Sequence, residues 1–507
     1  MPVPAPVAAN VTAAFEALKR KDFAAARDAM AGEDMGGFAV PHFLIKGLAE
    51  LALSDWAAAR ATFAAATAVF PDEALLWLNR GIAEENMGLT DAAIASQQKC
   101  VGIDPDQAEA HGNLANLYRK VKRFALSEKM ARRAVELGAA RGDACNSLGL
   151  ALHKQGKFID AEAAFHEAMR ATPEGAPPNP FVLSNMANLM VDTRRFDEAW
   201  PLFAQAQAIT DRAIIRRDEG LARLLAGDWA RGWELYQARL DVPGALRGRP
   251  ACPLWRGEDL RGKKLLILAE QGFGDVVHMC RYESFLPREG NVVWAVPDNM
   301  VRLLTGRMRG AVVSETSPLP DCDFYAPVFS LPLLTGHILP EPMASPWRAH
   351  ATPALPAGTR TRKIGIIWAG SRTHERDYER SVPLSLLAPF VRETDVDFYA
   401  PFTGDALNDI GDLPIARLDH LIGDFADTAA LIAQMDCVIT VDTAVAHLAG
   451  AMGVKTYLLL PYCPDWRWGC EGDTTAWYPS MTLLRQPRYG DWGSAIGLLK
   501  RRFGKAA

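Results

Sequence analysis

The sequence predicts two fold classes in one chain: an α-helical solenoid of paired helices over 1–240, then an α/β region of two parallel-sheet lobes, 241–345 and 362–507, joined by a linker at 346–361. Three observations lead there. One aromatic position recurs through the first half at a nearly constant interval. From Arg261 onward, short apolar runs alternate with helical patterns. Between the two α/β stretches, Leu339–Pro356 is rich in proline, as suits a linker.

The recurring position is Phe23, Trp56, Thr90, Phe124, Phe158, Phe196 and Trp229, in steps of 33, 34, 34, 34, 38 and 33 residues. The unit Cys145–Pro173 shows the logic most fully. Leu148-Gly149 lie in a first helix, Gly156-Lys157-Phe158 form the turn, and Ala161, Phe165 and Ala168 follow in a second helix closed by Pro173. Glycine and alanine stand where two helices approach closely, and aromatics fill the next layer. Pro71, Pro105 and Pro173 fall in phase, and the 38-residue step is explained by the proline-rich insertion Glu174–Pro180. This period and pattern resemble the tetratricopeptide repeat family over about 1–240, with seven helix pairs. Lys122 stands where that family usually has glycine, and Thr90 occupies the aromatic slot of the third unit. Such arrays stack into a continuous core and leave a concave groove that holds a peptide or protein. Asn113, Asn116, Asn146, Asn185 and Asn188 fall on first helices. Asn113, Asn146 and Asn185 take near-equivalent places, where a ladder of amides could grip a peptide backbone or simply form a polar helix surface.

In the second half, Leu265–Ala269 is a buried parallel strand by length and flanks, followed by Asn291–Val296, Ala311–Ser314 and Asp323–Tyr325. A new unit starts at Lys363–Trp368 and continues with strands at Val396–Tyr399, Cys437–Val441 and Thr456–Leu460. Strands alternating with helices imply right-handed crossovers and parallel sheets. Ligands of such sheets bind beyond the carboxyl ends of the strands.

Bulk properties narrow the function. A net charge of −5 gives no electrostatic case for nucleic-acid binding. The start, MPVPAPVAAN, lacks the basic and apolar regions of a secretory signal, and no stretch of about 18 uninterrupted apolar residues occurs. The eight cysteines show no C-x-x-C or metal-like spacing and read as reduced thiols in a cytoplasm.

Three strand-end segments look chemical. In Glu270-Gln271-Gly272-Phe273-Gly274-Asp275, the glycines let a backbone approach a ligand, and Asp275 opens a helix either as a cap or as a functional carboxylate. Trp368-Ala369-Gly370-Ser371-Arg372 leads into a loop with Arg376 and Arg380 that can place positive charge on a phosphate without a metal. Val438–Leu448 ends a strand at Asp442-Thr443 and starts a helix carrying His447, with Asp442 a plausible N-cap and the helix start favouring an anion. Downstream, Asp465-Trp466-Arg467-Trp468 either lines a cleft wall or packs.

Together these motifs resemble the glycosyltransferase B-type (GT-B) architecture of two Rossmann-like lobes, and most closely the heptosyltransferase-like family, over about 262–495. The resemblance implies that Asp275 is the catalytic base. The pattern D-T-x-x-x-H-L-x-x-A matches Asp442, Thr443, His447, Leu448 and Ala451. It implies a donor phosphate at Asp442, Thr443, Ala444 and His447, with Gly272, Gly274, Ser371, Arg372 and Arg380 also on the donor. The family's phosphate-binding lysine is replaced here by Arg372 and Arg380. Repeats fused ahead of such a domain resemble bacterial protein glycosyltransferases, including flagellin glycosyltransferases that use nonulosonic-acid donors. The implied reaction moves a sugar from a nucleotide-sugar substrate to Ser or Thr of a protein held by Asn113, Asn146 and Asn185, with no metal and no further cofactor. The other readings are a repeat scaffold whose α/β half is catalytically silent, and a glycolipid transferase.

Overall fold

The computed structural model describes residues 5–30, 39–244, 246, 248, 250–349 and 352–504. The first residues of the N-terminal segment, and His350 and Ala351 within the expected linker, lie outside them. The chain divides into two compact units, Met1–Leu189 and Met190–Ala507.

Among the described residues, fourteen helices pair in order: α1 (Ala5–Lys19) with α2 (Phe23–Ala29), α3 (Val40–Ala52) with α4 (Trp56–Val69), α5 (Ala74–Asn86) with α6 (Thr90–Ile103), α7 (Ala108–Lys120) with α8 (Phe124–Glu136), α9 (Arg141–His153) with α10 (Phe158–Arg170), α11 (Pro180–Asp192) with α12 (Phe196–Ile209), and α13 (Ala213–Leu225) with α14 (Trp229–Tyr236). Every residue of the recurring aromatic position begins the second helix of its pair. Two residues before it the backbone is left-handed each time, at Lys21, Ser54, Gly88, Lys122, Gly156, Arg194 and Gly227. The small residues of the first helices also do what the sequence asks of them. A Cβ on Gly47 would overlap the Phe63 ring, and one on Gly149 would come within 2.5 Å of Phe165 Cε1.

The second unit holds α12–α14 and two all-parallel sheets. The first sheet comprises β1 (Lys264–Leu268), β2 (Asn291–Val296), β3 (Ala311–Ser314) and β4 (Phe324–Pro327), in the order β3-β2-β1-β4. The second comprises β5 (Lys363–Ile367), β6 (Asp397–Ala400), β7 (Ile415–Arg417), β8 (Cys437–Val441), β9 (Thr456–Leu460) and β10 (Met481–Arg485), in the order β10-β9-β8-β5-β6-β7. In the first sheet the chain winds outward from β1 and returns to its other side at β4. In the second it winds outward from β5 and returns at β8. The loops after β1, β5 and β8 therefore stand at the topological switch points, where crossovers leave in opposite directions and where sheets of this kind bind their ligands.

The connecting helices are α15 (Phe273–Met279), α16 (Asp298–Leu304), α17 (Leu331–Thr335), α18 (Asp377–Arg380), α19 (Leu384–Glu393), α20 (Phe425–Ile432), α21 (Ala444–Ala451) and α22 (Trp492–Gly504). One apolar core runs through α13 and α14, the first sheet and one face of the second. The last repeat helix enters it through Trp229 and Trp233, which pack edge-on against Trp466, with Trp229 also on Trp477. Arg302 of α16 ties the first sheet to α20, donating to both carboxylate oxygens of Asp424 at 2.6 and 2.7 Å and pairing with Asp427.

One cysteine expectation is overturned. Cys252 and Cys322 form a disulfide, while the other six thiols are free. The two lie 70 residues apart, so no local spacing announces them. They meet because the segment before β1 runs alongside β4: Trp255 N–H donates to Tyr325 O at 2.8 Å, and Tyr325 N–H to Pro253 O at 3.0 Å. Among the described residues, no helix is long and apolar enough to cross a membrane.

Candidate functional site

The loop after β1 is anchored from below. Glu270 accepts from Arg239 Nε and Nη2 at 2.9 and 2.8 Å and from Phe329 N–H at 3.1 Å, all buried. Gln271 then takes the left-handed conformation, with φ 61°, and turns the chain into Gly272, the N-cap of α15. On the first helical turn, Asp275 Oδ2 accepts from the Gly272 N–H at 2.8 Å. Its capping role is therefore real, but it uses only one oxygen.

At the end of β8 the N-cap of α21 is Thr443, whose hydroxyl accepts from Ala446 N–H at 3.4 Å. This corrects the assignment of Asp442 as N-cap. Thr443 has the extended backbone a cap requires, which leaves the Asp442 carboxylate one residue outside the helix. That carboxylate faces His447, with Oδ1 3.7 Å from Nε2.

The two loops touch. A Cβ added to Gly274 would lie 2.7 Å from His447 Cδ2 and 3.2 Å from Ala444 Cα. Only glycine lets α15 of the first sheet sit against the start of α21 of the second. The loop after β5 joins them through Arg380, which packs across Gly370 and donates from Nη1 to the Asp442 carbonyl at 2.9 Å. Its Nε reaches Asp377 at 3.3 Å. Ser371 and Arg372 lie exposed on that loop, and Ser371 Oγ pairs with Thr373 Oγ1 at 2.7 Å. The expected donor-side residues thus fall into two groups: Gly272, Gly274, Arg380, Asp442, Thr443, Ala444 and His447 converge, while Ser371 and Arg372 stay on the rim.

Arg467 completes the cluster. Its guanidinium pairs with Asp275 Oδ1 through Nη2 and donates to Asp465 Oδ1 through Nη1 at 2.6 Å. Behind it lies a second buried layer. Tyr478 Oη is 3.0 Å from His447 Nδ1 and 3.1 Å from His278 Nδ1. Arg281 Nη2 also reaches His278 Nδ1, at 3.3 Å. A guanidinium can only donate, so that nitrogen accepts and the ring proton sits on Nε2. Trp468 stacks on the His447 ring at 5.2 Å between centroids. In Asp465-Trp466-Arg467-Trp468 the tryptophans pack, as one of the two sequence readings has it, and the arginine enters the cluster.

Burial dominates the electrostatics. It raises Asp275 above the ordinary carboxylate value, against the pull of Arg467 and the Gly272 N–H. Burial, then repulsion from Asp465, pushes Asp442 up to about 6, with Arg380 and Arg467 opposing. Burial, helped by nearby arginines, lowers both His278 and His447 well below the ordinary imidazole value, so both are neutral at pH 7. The site is a half-buried carboxylate–guanidinium cluster with one carboxylate poised near neutrality, an arrangement suited to moving a proton beside an anion. Among the described residues, no group of three or more His, Cys, Asp or Glu side chains could hold a metal ion.

Sequence reasoning missed three participants. Arg467 lay in a segment already noted for its tryptophans, and that pattern was its one signal. Tyr478 and Arg239 lie in no motif, because their partners are far away in sequence, although Arg239's partner Glu270 opens the first strand-end segment. In the helical region, Asn185 Nδ2 donates to Asn146 Oδ1 at 3.0 Å, while the buried Nδ2 of Asn113 has no partner. The ladder of expected acceptor contacts is thus partly closed on itself.

Residues 46–108 and 141–172 match tetratricopeptide repeat family models. The helical half carries tetratricopeptide repeats. Protein FlbA of Caulobacter vibrioides is 24% identical over 89% of this chain and 82% of its own length. Among solved structures, a tetratricopeptide repeat protein from Parabacteroides merdae is similar to 47% of this chain over 94% of its own, at 13% identity and a TM-score of 0.40. MamA is similar to 32% of this chain over 92% of its own, at 22% identity and a TM-score of 0.29.

Proposed function

We propose that this protein is a metal-independent glycosyltransferase that moves a sugar from a nucleotide-sugar donor to a Ser or Thr hydroxyl of a protein acceptor bound by the repeats. The carrying observation is the contact of Gly274 with Ala444 and His447. It brings a carboxylate from one switch point, Asp275, into the same buried cluster as a helix start from the other. In this reading the start of α21, with its free N–H groups, and the charge of Arg380 receive the donor phosphate. The acceptor oxygen attacks the anomeric carbon, and its proton passes to Asp275. The bond from that carbon to the phosphate oxygen breaks, and the electron pair leaves on the phosphate. Burial of Asp275 supports the base role, because it brings a weak base closer to the working pH. The resemblance to flagellin glycosyltransferases suggests flagellin as an acceptor and a nonulosonic acid as the sugar.

Co-expression with candidate acceptors, read by intact-protein mass, tests this. A sugar-sized increment is expected with wild type. Asp275→Asn is expected to lose about 10²-fold or more in transfer rate with the fold intact. Unchanged transfer by Asp275→Asn removes that residue from the base role.

A scaffold with a silent α/β half is favoured by one observation, the pairing of Asp275 with Arg467. Calorimetric titration of nucleotide sugars separates the two. Retained protein-partner binding with no heat from any nucleotide sugar selects the scaffold.

A further inference from the structure

We propose that Arg467 is a gate on Asp275: its guanidinium occupies the carboxylate, and a nucleotide phosphate entering at the start of α21 draws the guanidinium away and unmasks the base. This rests on the transferase reading above and adds to it an order of events, donor before acceptor. Both Asp275 oxygens are already engaged, Oδ2 by the Gly272 N–H at 2.8 Å and Oδ1 by Arg467. Both contacts lower the proton affinity that burial raises, and they cover the two oxygens on which an acceptor proton would land. The block comes from the opposite sheet, so a ligand on that sheet can lift it.

Arg467 is built for such an exchange. It is 8% exposed, and its backbone is pinned because its own N–H donates to Asp465 Oδ1 at 3.1 Å and its neighbours Trp466 and Trp468 are buried. Its Nε is buried and has no hydrogen-bond partner, so the planar fork has a donor still unspent. A phosphate can take two parallel N–H groups of such a fork at once. Arg380 is less free to move, since it lies across Gly370 and its Nη1 is tied to a backbone carbonyl. Asp442 also bears on Arg467, holding it charged together with Asp465 and Asp275. The charges facing the guanidinium are thus three carboxylates, with Arg281, Arg380 and the neutral His278 and His447 around them.

The gate makes a prediction of unusual sign. If Asp275 competes with phosphate for Arg467, removing its charge strengthens anion binding through Arg467 and through nothing else. Inorganic pyrophosphate is titrated calorimetrically into the full chain as wild type, Arg467→Gln, Asp275→Asn and the double variant, with thermal melts confirming the fold. Arg467→Gln is expected to weaken binding about tenfold or more, the loss that goes with a charge-assisted contact. Asp275→Asn is expected to tighten it by about threefold to tenfold, and the double variant to match Arg467→Gln. Should Arg467→Gln not fold, Arg467→Lys takes its place, because it keeps the charge without the fork, and Asp275→Asn is expected to tighten binding less beside lysine than beside arginine. Tightening by Asp275→Asn that persists without Arg467 is a general charge effect and overturns the gate while leaving the transferase reading intact. Asp275→Asn binding no tighter than wild type overturns it equally. No pyrophosphate binding by wild type removes the anion site, and both readings fall together.

Discussion

His278, His447 and Asp442 lie within one buried cluster but pull stability in opposite directions with pH. The histidines have folded values well below about 6.5, so the stability they allow is complete above that pH and is lost as pH falls. Asp442 has a folded value of about 6 against an ordinary 3.8. Its neutral form suits the fold, so stability is full at low pH and declines as pH rises from about 4 through 6. Asp442→Asn is therefore expected to raise stability at pH 7–8 by on the order of 2 kcal/mol. The gain should vanish near pH 4, and melting curves across pH 4–8 measure both. Glu270 is bound bidentately by Arg239, with both side chains almost wholly buried. Glu270→Ala leaves that guanidinium uncompensated and is expected to cost about 3–5 kcal/mol by chemical denaturation. At this scale the sequence disclosed residues that sit inside a strand-end motif, Asp275, Asp442, Thr443 and His447. It concealed Arg467 and Tyr478, whose roles exist only because two distant segments meet.

Among elements, the turns between paired helices are the most regular feature. Each needs one left-handed residue, and glycine supplies it at positions 88, 156 and 227. Lys122 holds φ 61° without that freedom. Lys122→Gly is expected to stabilise the Met1–Leu189 unit by roughly 0.5–1 kcal/mol, read as a higher melting temperature. Gly274 is the opposite case, since its φ is ordinary and the space is missing. Gly274→Ala should force α15 off α21 and cost about 1–3 kcal/mol, and transfer activity should fall with it. The repeat helices were legible because the period is long and the small residues are fixed in phase. Eight of the ten strands among the described residues were legible as apolar runs with turn residues at their flanks. β7 is three residues long with one buried side chain, and β10 follows a tryptophan-rich loop that masks its start. The Cys252–Cys322 bridge was illegible because pairing with β4, and no spacing, brings the sulfurs together.

For the molecule as a whole, composition marks the change to α/β texture near Arg261, whereas the compact units divide within α11, between Leu189 and Met190. Composition cannot report that division, since it depends on which helices share a core. Trp229 and Trp233 look like ordinary repeat aromatics, yet they belong to the α/β core. Because that core continues from the first sheet into the second, Met190–Ala507 is expected to unfold in one transition. Trp294→Ala in β2 and Val438→Ala in β8 should shift the same calorimetric peak. Two peaks moving separately would show that the sheets are independent.

The aromatic cage around His278 also gives the protein an optical reporter. The imidazole ring lies 4.6 Å from the Trp477 ring and 5.8 Å from that of Trp466, centroid to centroid. A protonated imidazole quenches indole emission on contact, whereas a neutral one does so weakly. Acid titration should therefore dim the intrinsic fluorescence as His278 gains its proton, and Trp477→Phe should remove most of that change. The state of the buried cluster can then be followed by light, with no label and no knowledge of the substrate.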